Sequence, residues 1–171
     1  MKRWITIVAA LLLGGCAAYS GHGLKPGVDR LEDVVRVMGQ PAMRWQDADG
    51  AVQLAYPRGP MGFHTYMAHI GPDGKLQRVE NVMDQASFAR IQAGMSKAQV
   101  LRVLGPSHPG WTDYFAARDE LVWEWRYCDA WNDPARFDVL FDNSKETVRS
   151  TMSLTEAQKG LCGKGKCLCS R

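Results

Sequence analysis

The chain has 171 residues, of which 46% are hydrophobic and 23% are charged; this is ordinary globular composition and excludes bulk disorder and collagen-like repeats. The 21 Lys and Arg residues nearly balance the 18 Asp and Glu residues, which argues against nucleic acid as the main partner. Lys2, Arg3 and four basic residues from Lys159 onward lie near the ends, which leaves 15 basic against 18 acidic residues between them. The body of the protein is therefore mildly acidic.

Residues 1–15 predict a signal peptide. Lys2 and Arg3 precede a largely apolar run at residues 4–13, which suits a signal peptide and is shorter than the roughly 20 residues of a membrane-spanning helix. With Gly14 and Gly15 before Cys16, the segment resembles the signal peptide of a bacterial lipoprotein, which implies lipidation of Cys16 and, with Ala17 next, sorting to the outer membrane. A plain secretory signal with an incidental cysteine is the alternative.

Four further cysteines lie in the second half of the chain: Cys128, Cys162, Cys167 and Cys169. Export would place them in an oxidising compartment, where disulfides are favoured, and four thiols allow three full pairings. The spacing C-x4-C-x-C matches none of the common zinc patterns. We therefore expect disulfides, no metal and no cofactor, with a redox or metal module in the tail as an alternative.

The chain contains two similar segments. GVDRLEDVVRVMGQP at residues 27–41 and GMSKAQVLRVLGPS at residues 94–107 each predict an amphipathic helix. Each has a capping-box pattern at its start and a glycine at its end, namely Asp29 with Glu32 and Gly39, and Ser96 with Gln99 and Gly105. We expect a lipidated tether at residues 16–26, a first unit at 27–83, a second at 84–158 and a Cys-, Gly- and Lys-containing tail at 159–171.

Strand and turn patterns follow both helices. Turns are predicted at Asp49-Gly50, at residues 72–74, near Asp119 and at residues 143–146. Residues 84–93 predict a further short helix. In the last hairpin Phe137, Val139 and Phe141 alternate with polar residues, so one face should pack against helices and the other should mostly meet water. The predicted fold is α+β, with two tandem units, each a single helix or a helix-turn-helix packed on a small antiparallel sheet.

No catalytic constellation stands out. His22, His64, His69 and His108 are scattered and match no metal or nucleophile motif, and we expect His64 and His69 to lie at the surface or at an edge. Asp119 and Glu120 adjoin a predicted turn and should be solvated. The glycine-rich segment at residues 58–62 lacks the Lys-Ser/Thr of a phosphate loop and predicts a turn. We therefore expect a protein that is not an enzyme.

Aromatic side chains are the more suggestive feature. Trp123, Trp125 and Tyr127 alternate on one predicted strand and share a face. Packing in the core is the favoured interpretation. In the alternative they form an exposed partner-binding patch, enlarged by Trp111, Tyr114, Phe115 and Trp131.

Several of these segments together resemble a known family. They are DQASFARIQAGMSKAQVLRVLGPS at residues 84–107, the strand with Trp123 and Trp125, and FDVLFDNSKETV at residues 137–148. They resemble the SmpA/OmlA family, the small lipoprotein subunit of the outer-membrane β-barrel assembly machinery. The resemblance is good over residues 84–150 and looser over 27–82, and the duplication and the cysteine-bearing tail depart from the family pattern.

This resemblance implies a non-enzymatic scaffold or accessory in outer-membrane protein assembly or envelope integrity. Its partners would be the outer membrane, through the lipid anchor at its periplasmic face, and envelope proteins such as the β-barrel assembly complex. The tandem arrangement also resembles β-lactamase inhibitor protein, which implies instead a membrane-tethered binder or inhibitor of a periplasmic enzyme.

Overall fold

A computed structural model describes residues 20–163 and 167–169. Cys16, the predicted signal peptide and the first part of the predicted tether lie outside the described residues, so lipidation stays a prediction. Within the described ranges, none of the helices has the length and apolar character needed to cross a membrane.

The first half of the fold is one helix followed by a four-stranded antiparallel sheet. Helix α1 spans Leu31–Met38 and buries Val34 and Met38. The N-terminal sheet follows with its strands adjacent in chain order: β1 (Met43–Gln46), β2 (Val52–Pro57), β3 (Thr65–Ile70) and β4 (Leu76–Asn81). The predicted turns at Asp49-Gly50 and at residues 72–74 are confirmed, since they join β1 to β2 and β3 to β4.

The second half repeats this order with longer strands. Helices α2 (Gln85–Phe88) and α3 (Lys97–Leu104) precede the C-terminal sheet, which consists of β5 (Thr112–Phe115), β6 (Glu120–Cys128), β7 (Pro134–Asp142) and β8 (Thr147–Thr155), again adjacent in chain order. The turns near Asp119 and at residues 143–146 are confirmed. Two antiparallel four-stranded sheets with few helices confirm an α+β fold, but most of the regular structure is strand.

The predicted helix-turn-helix at the start of the second unit does not form as such, because α2 is a single turn. Asp84 caps it by accepting a hydrogen bond from the Ser87 amide at 2.7 Å. The next amides bond three residues back, Arg90 to Ser87 and Ile91 to Phe88, so the backbone tightens instead of continuing as an α-helix. The predicted inward side chains Phe88 and Ile91 are nevertheless buried.

The two eight-residue helices begin differently. In α3 the predicted capping box is confirmed: Gln99 N donates to Ser96 Oγ at 3.2 Å and Ser96 N donates to Gln99 Oε1 at 2.8 Å. In α1 the N-cap is Arg30 and not Asp29, and Arg30 N donates to Asp33 Oδ2. The Asp29 carboxylate instead accepts the Lys25 amide at 2.6 Å, because the chain turns there before the helix starts.

Helix α3 contacts both sheets. Its buried residues Val100, Val103 and Leu104 share one apolar cluster with Ala55 and Met67 of the N-terminal sheet and with the inner face of the C-terminal sheet. Helix α1 packs on the other face of the N-terminal sheet, over residues such as Leu54 and Ile70. The layers therefore run α1, N-terminal sheet, α3, C-terminal sheet, which explains why β2 is buried on both faces.

The outer face of the C-terminal sheet corrects one expectation. Phe137, Val139 and Phe141 face the core as predicted. The opposite face of β7 does not mostly meet water, because Arg136 and Asp138 are only 8% and 5% exposed. Charged side chains from neighbouring segments, including Glu124 and Lys159, cover them.

Candidate functional site: a cleft between the two sheets

A cleft of about 270 Å³ opens where the two halves of the fold meet. Its floor is apolar and includes Met43, Met83 and the edge of Trp125. Trp125 is held there because its indole Nε1 donates to the carbonyl of Gly105, at the end of α3, at 3.2 Å. The volume is close to the lower end of the range for ligand pockets, roughly 300–1,000 Å³.

The first wall is the loop between β2 and β3, which contains the glycine-rich segment. That segment is a turn, as predicted: Gly62 N donates to the Arg58 carbonyl and Arg58 N to the His64 carbonyl, at 2.8 and 2.9 Å. The turn requires glycine at position 62, since a Cβ there would lie 2.8 Å from the Arg58 carbonyl oxygen. Gly59, Gly62, His64 and Thr65 line the cleft from this side.

The second wall is the loop from α3 to β5. Pro106, Ser107, His108, Pro109 and Trp111 line it. A single 3-10 turn at Pro109–Trp111 shapes its end, and the ring of His108 accepts the Gly110 amide. The rings of His108 and Trp111 are in contact, with centroids 5.0 Å apart and planes tilted by 49°, so an imidazole and an indole lie opposite the glycine-rich turn.

Arg126 closes the back of the cleft and ties the two halves together. Its guanidinium lies 4.2 Å from the ring centroid of Phe63 and donates to the Met61 carbonyl at 3.0 Å. On its other side it makes a two-point ion pair with Glu156, at 2.6 and 2.9 Å. Bidentate pairs of this kind are among the strongest side-chain contacts.

The ion pair extends along the outer face of the C-terminal sheet. Arg136 Nε also donates to Glu156 at 2.7 Å, and Arg136 Nη1 donates to Glu124 at 2.6 Å. Lys159 then bridges Glu124 and Asp138. Trp111 covers this network, since the Arg136 guanidinium lies 4.0 Å from its ring centroid.

Burial and pairing pull the pKa values of these groups in opposite directions. Burial raises the pKa of the Asp138 carboxyl, although the Lys159 ammonium partly opposes this. Burial also acts to raise the pKa of Glu156, but hydrogen bonds from Arg126 and Arg136 outweigh it and leave that pKa lowered. Burial acts to lower the pKa of Lys159, but Glu124 and Asp138 outweigh it and leave that pKa raised.

The cleft presents mainly uncharged groups. Glu124 and Arg126 at its back already hold charged partners, so the groups it presents are apolar side chains, two hydroxyls and two imidazoles. Burial lowers the pKa of His64, which keeps that imidazole neutral near pH 7. Such a surface suits an apolar side chain of a partner protein or a small uncharged molecule.

The structure decides between the two interpretations of the aromatic strand. Trp125 and Tyr127 are 3% and 4% exposed, so the favoured core placement holds for them. The alternative of an exposed binding patch is wrong for these two side chains, because Phe88 and the inner face of the sheet cover them. Trp123 is half-buried against the same cluster.

Other aromatic residues remain at the surface. Trp131, Tyr114 and Phe115 are 83%, 53% and 44% exposed. Arg118 stacks over Phe115, and the Tyr114 hydroxyl donates to Asp119 at 3.0 Å. Trp111 differs from them, since it lines the cleft and covers Arg136.

The four later cysteines lie in two pairs at disulfide distance. Cys128, at the end of β6, pairs with Cys169, and Cys162 pairs with Cys167, with Cα atoms 6.0 and 5.6 Å apart. The Cys169 amide also donates to the Asn132 carbonyl, which fixes the described part of the tail against the β6–β7 turn. This arrangement is consistent with the disulfide prediction.

The remaining titratable residues do not converge on one site. His69 Nε2 lies 2.8 Å from Glu80 on the N-terminal sheet. Glu120 is not solvated as expected, because Arg118 and Arg149 bind it and it is 6% exposed. Among residues 20–163 and 167–169, no group of three His, Cys, Asp or Glu side chains has the geometry to hold a metal ion.

Sequence reasoning missed the cleft and the ion-pair network. Their members come from loops and strands far apart in the chain. The sequence pointed separately to the glycine-rich segment, His64, His108, Trp111 and Trp125, but nothing in it indicated that these residues share one cleft. Comparison of the chain with family models, with curated proteins and with solved structures gives no match in any of the three.

Proposed function

We propose that this protein is a lipid-anchored component of the outer membrane that binds other envelope proteins at the periplasmic face, as a non-enzymatic scaffold or accessory in β-barrel protein assembly or envelope integrity. The observation that carries the binding role is the inter-sheet cleft, whose walls come from both halves of the fold. The role in assembly rests on the resemblance of residues 84–150 to the SmpA/OmlA family. In this proposal the two halves are tandem copies of one unit.

The anchoring part of the proposal rests on Cys16 and the segment before it. A multi-chain lipid anchor holds a protein at a membrane, where a single acyl chain is marginal. We expect Cys16→Ser to move the protein from the membrane fraction to the soluble periplasmic fraction. Unchanged membrane fractionation of this variant would contradict the anchor.

Crosslinking in intact cells tests the binding role. The tagged protein would be crosslinked mildly, outer membranes extracted with detergent, and the attached proteins identified by mass spectrometry. We expect subunits of the β-barrel assembly machinery among them. Their absence, together with recovery of a soluble periplasmic enzyme, would overturn the assembly role.

A cleft-filling variant connects the partner to the site. Ser107 lines the cleft, and Ser107→Phe should occupy its volume. Ala98→Phe is the matched control, because Ala98 is exposed on α3 and lines none of the described cavities. We expect Ser107→Phe to lose the crosslinked partner while Ala98→Phe keeps it; equal recovery by both variants would exclude the cleft as the binding site.

The alternative function is a membrane-tethered binder or inhibitor of a periplasmic enzyme. The observation that favours it is the exposed pair Tyr114 and Phe115 on β5, since exposed aromatic residues often anchor protein partners. If this function is right, Phe115→Ser should weaken capture of the enzyme and Ser107→Phe should not.

A redox or metal role for the tail is tested without removing the tail. Lys159 and Cys169 each bond to the C-terminal sheet or its turn, so a truncation would disturb the fold. Cys162→Ser with Cys167→Ser removes only the local pair. Retained function of this double variant would exclude redox chemistry at that pair.

A further inference from the structure

The outer edge of β8 carries main-chain groups that face away from the sheet. Glu156 N donates to the Pro134 carbonyl at 2.7 Å, which continues the β7–β8 ladder. Because hydrogen-bonded pairs alternate in an antiparallel ladder, Leu154, Met152 and Ser150 bond to β7. The amides and carbonyls of the residues between them, Thr151 and Ser153, point outward.

Both ends of this edge are closed by the protein itself. At the start of β8, the Val148 amide donates to the Met95 carbonyl, and the Val148 carbonyl accepts from the Gly94 amide, both at 2.8 Å. At the other end, Thr155 N donates to the Gln158 side chain at 2.8 Å. Between these closures, the outward main-chain groups of Thr151 and Ser153 have no partner within the described residues. The six residues 149–154 lie between these closures, so the open edge has room for a strand of about five residues at about 3.4 Å per residue.

A groove runs beside this open edge. It has a volume of about 260 Å³ and lies between α2 and β8, with Gln85, Phe88 and Ala89 on one side and Phe137, Thr151 and Ser153 on the other. Thr151 and Ser153 lie opposite Val139 and Phe137 in the register, so their side chains share the inner face. A strand added to β8 would therefore place alternate side chains in this groove.

From Ser150 onward, the edge lacks the features that usually prevent strand addition. Natural edge strands are protected by charge, proline or a bulge. The register shift of β8 falls before residue 150, and the sequence STMSLT that follows contains no charge and no proline. Five consecutive residues from Arg149 to Ser153 are exposed.

We propose that this open edge accepts a short extended segment of another polypeptide as a fifth antiparallel strand of the C-terminal sheet, with uncharged side chains entering the groove beside α2. The occupant is a short segment and not a second copy of this chain, since a second nine-residue β8 would run into both closed ends. The uncharged, partly apolar lining selects against charged side chains. The edge is separate from the inter-sheet cleft, so the inference stands whether or not the cleft binds a partner.

Binding of a short peptide, compared with binding of two versions methylated at different backbone amides, tests strand addition to β8 directly. The probe is a five-residue peptide of alternating valine and threonine with blocked ends, added to the full chain in solution. We expect slower hydrogen exchange at the Thr151 and Ser153 amides and NMR shifts at residues 149–155 and at Ala89. In antiparallel pairing, the peptide residues whose amides face β8 are also those whose side chains enter the groove. If the valine side chains fill the groove, the valine amides bond to β8. N-methylation of the valines should then abolish binding. N-methylation of the threonines should not.

Equal binding of the two methylated peptides would overturn the proposal, because contact through side chains alone would explain it. Absence of any exchange protection with the unmodified peptide would also overturn it.

Variants of β8 complete the test. Thr151→Pro removes one outward amide but no ladder bond, and edge strands tolerate proline at such positions. We expect at least a tenfold loss of peptide affinity for Thr151→Pro and less than a twofold change for the matched control Thr151→Val. If Thr151→Pro does not fold, Ala89→Trp, which fills the groove and leaves β8 intact, should cause the same loss. A β8-dependent dimer in analytical ultracentrifugation would overturn the choice of occupant.

Discussion

The hydroxyl group of Tyr56 is buried without a hydrogen-bond partner among the described residues. The Tyr56 side chain is 3% exposed. Burial raises the pKa of the phenol to about 12, although the Arg58 charge opposes this. The group therefore stays neutral over the physiological range, and its burial without a partner costs stability.

We expect Tyr56→Phe to leave the free energy of unfolding unchanged or to raise it by about 1 kcal/mol, because the variant removes an unpaired polar atom and keeps the ring. Tyr114→Phe is the control, since the exposed Tyr114 hydroxyl bonds to Asp119. Urea denaturation measures both variants. A clear loss of stability in Tyr56→Phe would show that the hydroxyl is bonded in solution.

The lowered pKa of Glu156 should make the stability of the fold depend on pH. Hydrogen bonds from Arg126 and Arg136 outweigh its burial and leave its pKa lowered. A group whose pKa is lower in the folded state stabilises the fold above its unfolded pKa, about 4.3, and that contribution is lost as pH falls through the folded value. We expect Glu156→Gln to be less stable than the parent at pH 7 and the difference to shrink below about pH 4.

Denaturation midpoints between pH 3 and pH 8 measure this effect. Glu32→Gln serves as the control, because Glu32 is exposed in the first turn of α1. A Glu156→Gln profile parallel to that of the parent would contradict the role assigned to these ion pairs.

The C-terminal ends of α1 and α3 form a natural comparison. Each helix is followed by a glycine with positive φ, 84° at Gly39 and 71° at Gly105. A Cβ at Gly39 would meet nothing within 4 Å, whereas at Gly105 it would lie 3.0 Å from Thr65 and 3.3 Å from Met67. The second glycine is therefore needed both for its conformation and for close approach to the N-terminal sheet.

We expect Gly39→Ala to cost about 1–3 kcal/mol from backbone strain alone. Gly105→Ala should cost about 1–3 kcal/mol more, because the added methyl also overpacks the contact between α3 and the N-terminal sheet. Thermal or urea unfolding of the two variants measures the difference. Equal losses would mean that this contact is loose.

Hairpins and helix ends were predictable because local chemistry sets them. Asp49-Gly50 and Ser96 with Gln99 lie where turn and capping preferences place them. The length of α2 was not predictable in this way, because a helix and a series of tight turns can bury the side chains of Phe88 and Ile91 equally well. Helix α1 starts one residue later than predicted, because the Asp29 carboxylate accepts the Lys25 amide instead of capping the helix.

The two cysteine pairs should contribute unequally to the free energy of unfolding. The Cys128–Cys169 pair joins positions 41 residues apart, and the Cys162–Cys167 pair joins positions 5 apart. Loop-closure entropy gives about 4 kcal/mol for the first and about 2 kcal/mol for the second. We expect Cys128→Ser with Cys169→Ser to lower the unfolding free energy more than Cys162→Ser with Cys167→Ser.

Denaturation of the two double variants under non-reducing conditions measures this order, and peptide mapping without reduction checks the pairing itself. A larger loss from the Cys162 and Cys167 substitutions would contradict the pairing or the entropic argument.

The sequence alone determined the α+β class, the positions of the hairpins, the alternation that buries Phe137, Val139 and Phe141, and the expectation that Cys128, Cys162, Cys167 and Cys169 form disulfides. These features depend on neighbours within a few residues, or on composition. The position of α3 between the two sheets, the contacts that join Arg126 to Phe63 and Glu156, and the pairing of the cysteines depend instead on tertiary packing. Apart from the Cys162–Cys167 pair, whose members are 5 residues apart, these contacts link segments 20 to 65 residues apart, and no local preference specifies which distant partner a side chain meets.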